Sequence, residues 1–232
     1  MNAAAPVPPD TRPETRLAPA AAGALAAYAV VVLVHLGAHL TGADGLANAT
    51  QWFAVPWLVL ALVAQTGLRS RLARFTAGGL GWSWLGDTLP DLMPERVAFI
   101  VLMASFLVAH ALFIAGFWPW RRESLLRRRW AWGYGALAVT MVIVCAPRAG
   151  GLTVGIAIYA AALALMALLA AGIHRWAAVG GVLFLVSDGL IALGEFVPSV
   201  DLPLPGFWIM ATYLAAILLL TLGVLRRLGS RT

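Results

Sequence analysis

The chain is dominated by uncharged apolar runs close to the roughly 20 residues an α-helix needs to cross a bilayer's hydrocarbon. Eight can be drawn, over approximately 20–40, 51–67, 75–90, 97–118, 130–146, 152–172, 176–197 and 207–225. They are rich in Ala and Leu and do not alternate with period two. Backbone groups in lipid must bond to one another, which leaves helices or a closed barrel, and the missing alternation excludes the barrel. Composition agrees: 62% of the 232 residues are hydrophobic and 11% charged, against roughly a quarter charged in a soluble domain. The expectation is an all-α membrane protein with eight transmembrane helices over 20–228. Residues 1–19, polar and Pro-rich, read as a disordered tail, and 229–232 as a short C-terminal tail. The start of the chain lacks the basic stretch of a secretory signal, and the first apolar run is long enough to span.

Arginine orients the bundle. All sixteen basic residues are Arg, which with the heavy Ala content suggests a GC-rich bacterial genome. With short connections, alternate turns fall on opposite sides. Arg12, Arg16, Arg69, Arg71, Arg74, Arg121, Arg122, Arg127, Arg128, Arg129, Arg175, Arg226, Arg227 and Arg231 gather on one side, and only Arg96 and Arg148 on the other. Cytoplasmic loops carry the excess of basic residues, so both termini are expected in the cytoplasm and the protein in the inner membrane. The positive charge then reports topology and contact with anionic lipid; a nucleic-acid partner is not expected. Trp118, Trp120, Trp130 and Trp132 flank the most basic loop, as an interfacial belt does. Cys145, the single cysteine, excludes an intrachain disulfide and a cysteine metal cluster.

The ionisable groups inside the runs are the informative ones. "WSWLGDTLPDLMPE" (82–95) carries Asp87, and "FLVSDGLIALGEF" (184–196) carries Asp188. By helical rise Asp188 lies roughly 13–15 Å, and Asp87 roughly 5–9 Å, from the outer end of its helix. A mid-span aspartate is unfavourable by about 2.5–3.5 kcal/mol, and such residues usually face a polar cavity or one another. The bland reading is a carboxyl that pins helices by hydrogen bonding. Against it, "GGLGWSWLGDTL" (78–89) echoes "GGVLFLVSDGLI" (180–191), which sets Gly79 and Asp87 against Gly180 and Asp188 and suggests two parallel four-helix halves. Gly86 and Ser187, each directly before its aspartate, are small enough to let helices approach. Two carboxyls in one low-dielectric pocket cannot both be ionised, so the pair offers an acid and a base in one place.

His110, on the fourth segment about 20 Å from its outer end by rise, is suited to orient a substrate or relay a proton; packing against a carbonyl is the competing reading. Trp84 shares a helix face with Asp87 and could wall a lipid chain, although packing against a neighbour is the commoner role. Ser83, Thr88, Ser105, Ser187 and Tyr213 are hydrogen-bonding candidates. His35 and His39 form "HLGAH", whose spacing puts both on one face, as a zinc site requires. No Gly-x-Ser-x-Gly elbow is present, so a serine-hydrolase triad is not expected.

The order of "VPWLVLALVAQTGL" (55–68), "WLGDTL" (84–89), "SFLVAHALFIAGF" (105–117), "FLVSDGLIAL" (184–193) and "MATYLAAILL" (210–219) resembles the lysoplasmalogenase (YhhN-type) membrane family. The resemblance implies an eight-helix hydrolase of the vinyl-ether bond of lysoplasmalogens, releasing a fatty aldehyde and a glycerophospho-base. It carries over Gly86, Asp87, His110, Ser187 and Asp188. Three of the family's landmarks differ: Val55 stands in place of a Lys, Phe113 in place of a Tyr after the His, and Ala216 approximately where a Gln would be. The expected catalytic residues are Asp87 and Asp188, supported by His110, Ser187, Gly86, Trp84 and Tyr213, with a lysophospholipid or ether-lipid substrate and no cofactor. Two other readings stay open: a zinc-dependent lipid amidase or esterase using His35, His39, Asp87 and Asp188, and a catalytically inactive lipid-binding member.

Overall fold

The computed structural model describes residues 17–230; most of the N-terminal tail, 1–16, and residues 231–232 lie outside the described residues. Among the described residues the chain is all-helical. The long helices are α1 (Pro19–Thr41), α2 (Asp44–Thr66), α3 (Arg71–Thr88), α4 (Glu95–Phe117), α5 (Trp130–Ala149), α6 (Thr153–Ala170), α7 (Arg175–Phe196) and α8 (Pro205–Gly229). Gly229 therefore belongs to α8, one residue beyond the expected domain limit.

Six stretches among the described residues are long and apolar enough to cross a membrane, which marks a multi-pass membrane protein. Two features separate this from the eight expected. The helix α3, with Arg71, Arg74 and Asp87 in 18 residues, falls short in hydropathy. Trp130–Ala170 counts as one stretch of 41 residues, although the chain turns within it at Gly150, whose φ of +52° suits a residue without Cβ. The two sides of that turn, α5 and α6, pack together as a hairpin.

Turn chemistry fixes the other ends. The first two helices stop at Gly42 and Gly67, both left-handed, each donating its N–H back to the last turn. The Ser70 side chain caps α3 by accepting from Ala73 N–H at 3.0 Å. Pro90, two residues past α3, has no N–H with which to continue the helix, and the chain passes through a 3-10 turn, Pro90–Leu92.

Packing runs from α2 to α3, α4, α6, α7 and α8, and α8 returns to α1, α2 and α3. The most enclosed helix is α8, which buries ten residues; α5 lies at the edge and buries only Cys145 and Ala149. The two glycines of the internal echo do equivalent jobs. A Cβ at Gly79 would sit 2.7 Å from the Phe113 ring of α4, and one at Gly180 would sit 2.7 Å from the Ala216 carbonyl of α8. Each opens its helix to the next one in sequence. The two helices that carry the aspartates, α3 and α7, do not stand side by side. The neighbours of α3 are α2, α4 and α8, and those of α7 are α5, α6 and α8. Side chains of α4 and α8, Phe106 and Tyr213 chief among them, fill the space between.

Candidate active site

Asp87 and Asp188 nevertheless meet, across a cavity of about 210 Å³ that both line. Gly86 and Asp91 complete the α3 side, Ser187 the α7 side, Gln51 comes from α2 and Tyr213 from α8. Phe106 and Tyr213 line it and belong to an aromatic cluster: Phe106 lies edge-on to Phe184 and Tyr213, with centroids 5.9 and 5.6 Å apart, and Phe184 to Tyr213 at 5.7 Å. Gly86 is needed there, because a Cβ would sit 2.8 Å from Phe106.

Two helices supply the partners of Asp188. The Tyr159 hydroxyl of α6 donates to Asp188 Oδ2 at 2.5 Å, and His110 Nε2 of α4 lies 3.4 Å from the same oxygen. His110 Nε2 is also 3.3 Å from the Tyr159 hydroxyl, and its ring leans on Phe184 at 4.9 Å. Both His110 and Asp188 are buried. Ser187 is turned away to brace α7 on α8, its hydroxyl donating to Ile209 O at 3.1 Å.

Asp87 is held differently. The Gln51 side-chain amide donates to its backbone carbonyl, near the helix end where carbonyls lack intrahelical donors. Its carboxylate oxygen Oδ2 is buried without a hydrogen-bond partner, as are the Tyr213 hydroxyl and Ser83 Oγ; Ser83 neighbours Tyr213 but outside hydrogen-bonding geometry. A buried polar atom left unpaired is unfavourable by about 1–3 kcal/mol. Several around one cavity mark a place shaped for a ligand's polar atoms. At the mouth, partial burial raises the Asp91 carboxyl above its ordinary range.

The remaining candidates fall elsewhere. Trp84 does not line the cavity: its indole N–H donates to Trp52 O at 3.0 Å and its ring sits edge-on to Trp52 at 5.9 Å, so it packs α3 on α2. Thr88 folds back to Trp84 O at 2.7 Å. The zinc set is not assembled. His35 Nδ1 is engaged by Thr50 Oγ1 at 2.9 Å and lies 3.1 Å from Ala47 O, and its ring meets His39 at 4.8 Å. No cluster of three or more metal-ligating side chains occurs among the described residues. Sequence reasoning passed over Tyr159 and Gln51. A lone tyrosine or glutamine in an apolar run is an available signal, but only packing separates it from an interfacial residue.

Fold and site together define a multi-pass helical membrane protein with a buried carboxyl–tyrosine–histidine cluster beside a small polar cavity. The YhhN family model matches residues 46–224, and the chain belongs to that family. It is 33% identical over 211 residues to the lysoplasmalogenases of Mycobacterium bovis (strain ATCC BAA-935 / AF2122/97) and Mycobacterium tuberculosis (strain CDC 1551 / Oshkosh), covering 84% of this chain and 77% of each relative. No solved structure matches the chain.

Proposed function

We propose that the protein is a membrane-embedded hydrolase that cleaves the vinyl-ether bond of a lysoplasmalogen. The observation that carries this reading is the facing of Asp87 and Asp188 across one cavity. The lysoplasmalogenase names of the two mycobacterial relatives support the substrate class. The hydrogen bonds divide the labour. Asp188 Oδ2 accepts from the Tyr159 hydroxyl and faces His110, which holds this carboxyl in place for the role of base and cation stabiliser. Asp87 Oδ2 has no donor, which favours a carboxyl that keeps its proton.

Asp87 then delivers that proton to the alkenyl carbon remote from the ether oxygen. The π electrons form the new C–H bond, and an oxocarbenium ion develops beside the Asp188 carboxylate. Water adds to the cationic carbon and gives its proton to Asp188, as in acid–base catalysis by paired carboxylates. When the hemiacetal collapses, Asp188 returns that proton to the departing glycerol oxygen. Asp87 recovers its own from the hemiacetal hydroxyl. One water is consumed, and the fatty aldehyde and the glycerophospho-base leave.

We also read all eight long helices as spans, arranged as two parallel four-helix halves with both termini on the Arg-rich side. The equivalent close approaches at Gly79 and Gly180 support the halves.

The test of the reaction is aldehyde release from lysoplasmalogen by purified protein. Asp87→Asn and Asp188→Asn each remove a proton carrier at nearly constant volume, so each should abolish turnover while the melting temperature in detergent is retained. An Asp87→Asn protein with undiminished aldehyde release sinks the assignment.

A further inference from the structure

A second hollow adjoins the first. It encloses about 580 Å³ between α4, α5, α6 and α7, within the range of small-molecule sites, and its walls are almost wholly apolar. Leu102, Asp188 and Ile191 line both cavities, so the two adjoin at Asp188. On the far side Trp130, Gly133, Leu137, Met141 and Cys145 line it from α5, at spacings that form one helix face. That face is why α5 buries so little against protein.

We propose that this groove holds the aliphatic chain of a single-chain lipid whose head occupies the small polar cavity, making the α5 face the determinant of chain length. The inference rests on the hydrolase reading for the identity of the head. Two observations commit the groove to this occupant. Polarity runs in one direction, from Gln51, Asp87 and Asp91 through Asp188 to the apolar α5 wall. The scissile region of an amphiphile lying along it falls at the junction. The length also fits. Met141 lies beside Gly189, 3.7 Å from a Cβ built there, next to Asp188. From Met141 down to Trp130 is eleven residues, about 16 Å of helix, half of a hydrocarbon core about 30 Å thick and so the depth of one lipid chain.

Two glycines of α5 provide the experiment. Gly133 lines the groove and Gly135 does not, and a Cβ at either meets no protein atom within 4 Å. Gly133→Trp should fold as well as Gly135→Trp. It should lower kcat/KM for long-chain lysoplasmalogen by about tenfold or more, the discrimination a pocket exerts against a misfit, and leave short-chain turnover intact. Gly135→Trp should keep the original profile. Identical profiles for the two variants overturn the proposal. A readout free of catalysis uses an alkyl-ether lysophospholipid with no vinyl bond and a diazirine near the chain terminus. Its label should map to residues 130–141 of α5 and be lost in Gly133→Trp. Labelling scattered over every lipid-facing helix means annular lipid only and also overturns the proposal. Mapped labelling in a protein that releases no aldehyde upholds the groove and removes the hydrolase reading. Aldehyde release without mapped labelling does the reverse.

Discussion

Replacing Tyr159 with Phe deletes a single oxygen and probes the division of labour between the two aspartates. The lost bond, 2.5 Å from Tyr159 hydroxyl to Asp188 Oδ2, is in the short range of charge-assisted O–H···O⁻ bonds. His110 Nε2, at 3.4 Å, is at the outer limit of hydrogen bonding and cannot take its place. A hydrogen bond to a charged group contributes about 1.5–3 kcal/mol. If Asp188 is the ionised member that stabilises the cation, kcat for aldehyde release should fall about ten- to a hundredfold at about 1.4 kcal/mol per factor of ten. Stability should change little, because the Phe ring keeps the edge contact with His110, now 5.2 Å between centroids. The control is a double-mutant cycle. Once Asp188→Asn has removed the charge, adding Tyr159→Phe should have no further effect on the affinity for a non-hydrolysable alkyl-ether lysophospholipid. A Tyr159→Phe enzyme with the original kcat, or additive effects in the cycle, refutes the reasoning.

Two further outcomes follow from packing and capping. Gly86→Ala places a methyl 2.8 Å from Phe106, an overpacking of about 1–3 kcal/mol; because Phe106 walls the cavity, turnover should fall further than melting temperature, whereas Gly81→Ala, with nothing within 4 Å, should be silent in both. The His174 Nδ1 caps α7 by accepting from Trp176 N–H at 3.1 Å, and partial burial, then Arg175, Arg226 and Arg227, hold its imidazole below its ordinary range. Its folded state thus prefers the neutral ring, so the contribution, about 1 kcal/mol for a cap, is present above about pH 6.5 and fades as pH falls through the lower folded value. His174→Asn, whose cap does not titrate, should match the parent at pH 7.5 and melt higher at pH 5; equal melting at both pH values would contradict this.

The sequence exposes what lipid penalises. Asp87 and Asp188 stand out because a carboxyl within an apolar run demands a partner, and the segments follow from their lengths. The limits of α3 and the merging of α5 with α6 are less legible, because Arg, Ser and Gly dilute one signal and a two-glycine turn hardly interrupts the other. Tyr159 is hidden for a different reason. A tyrosine in "AIYAAALAL" fits an interfacial belt or a core equally well. What makes it a partner of Asp188 is the packing of α6 between α4 and α7, a non-sequential contact that no local pattern encodes. The same holds for Gln51, whose reach to the end of α3 depends on how α2 and α3 pair.

The positions that depart from the family's landmarks share one structural property. Val55, Phe113 and Ala216 are fully buried in the core, and none of them lines the polar cavity. Phe113 fills the notch over Gly79, and the Ala216 carbonyl lies against Gly180, so both sit where helices press together. A Lys or Gln at such a place would need a partner of its own. By contrast Gly86, Asp87, Ser187 and Asp188 line the cavity, and His110 abuts Asp188. A tyrosine hydroxyl does reach the His110–Asp188 pair, but from Tyr159 of α6 and not from the Phe113 position on α4. Loss of the expected tyrosine next to the histidine therefore leaves the carboxylate with a donor. The departures fall at helix-packing positions, and the groups that the proposed proton transfer uses stand apart from them around the cavity.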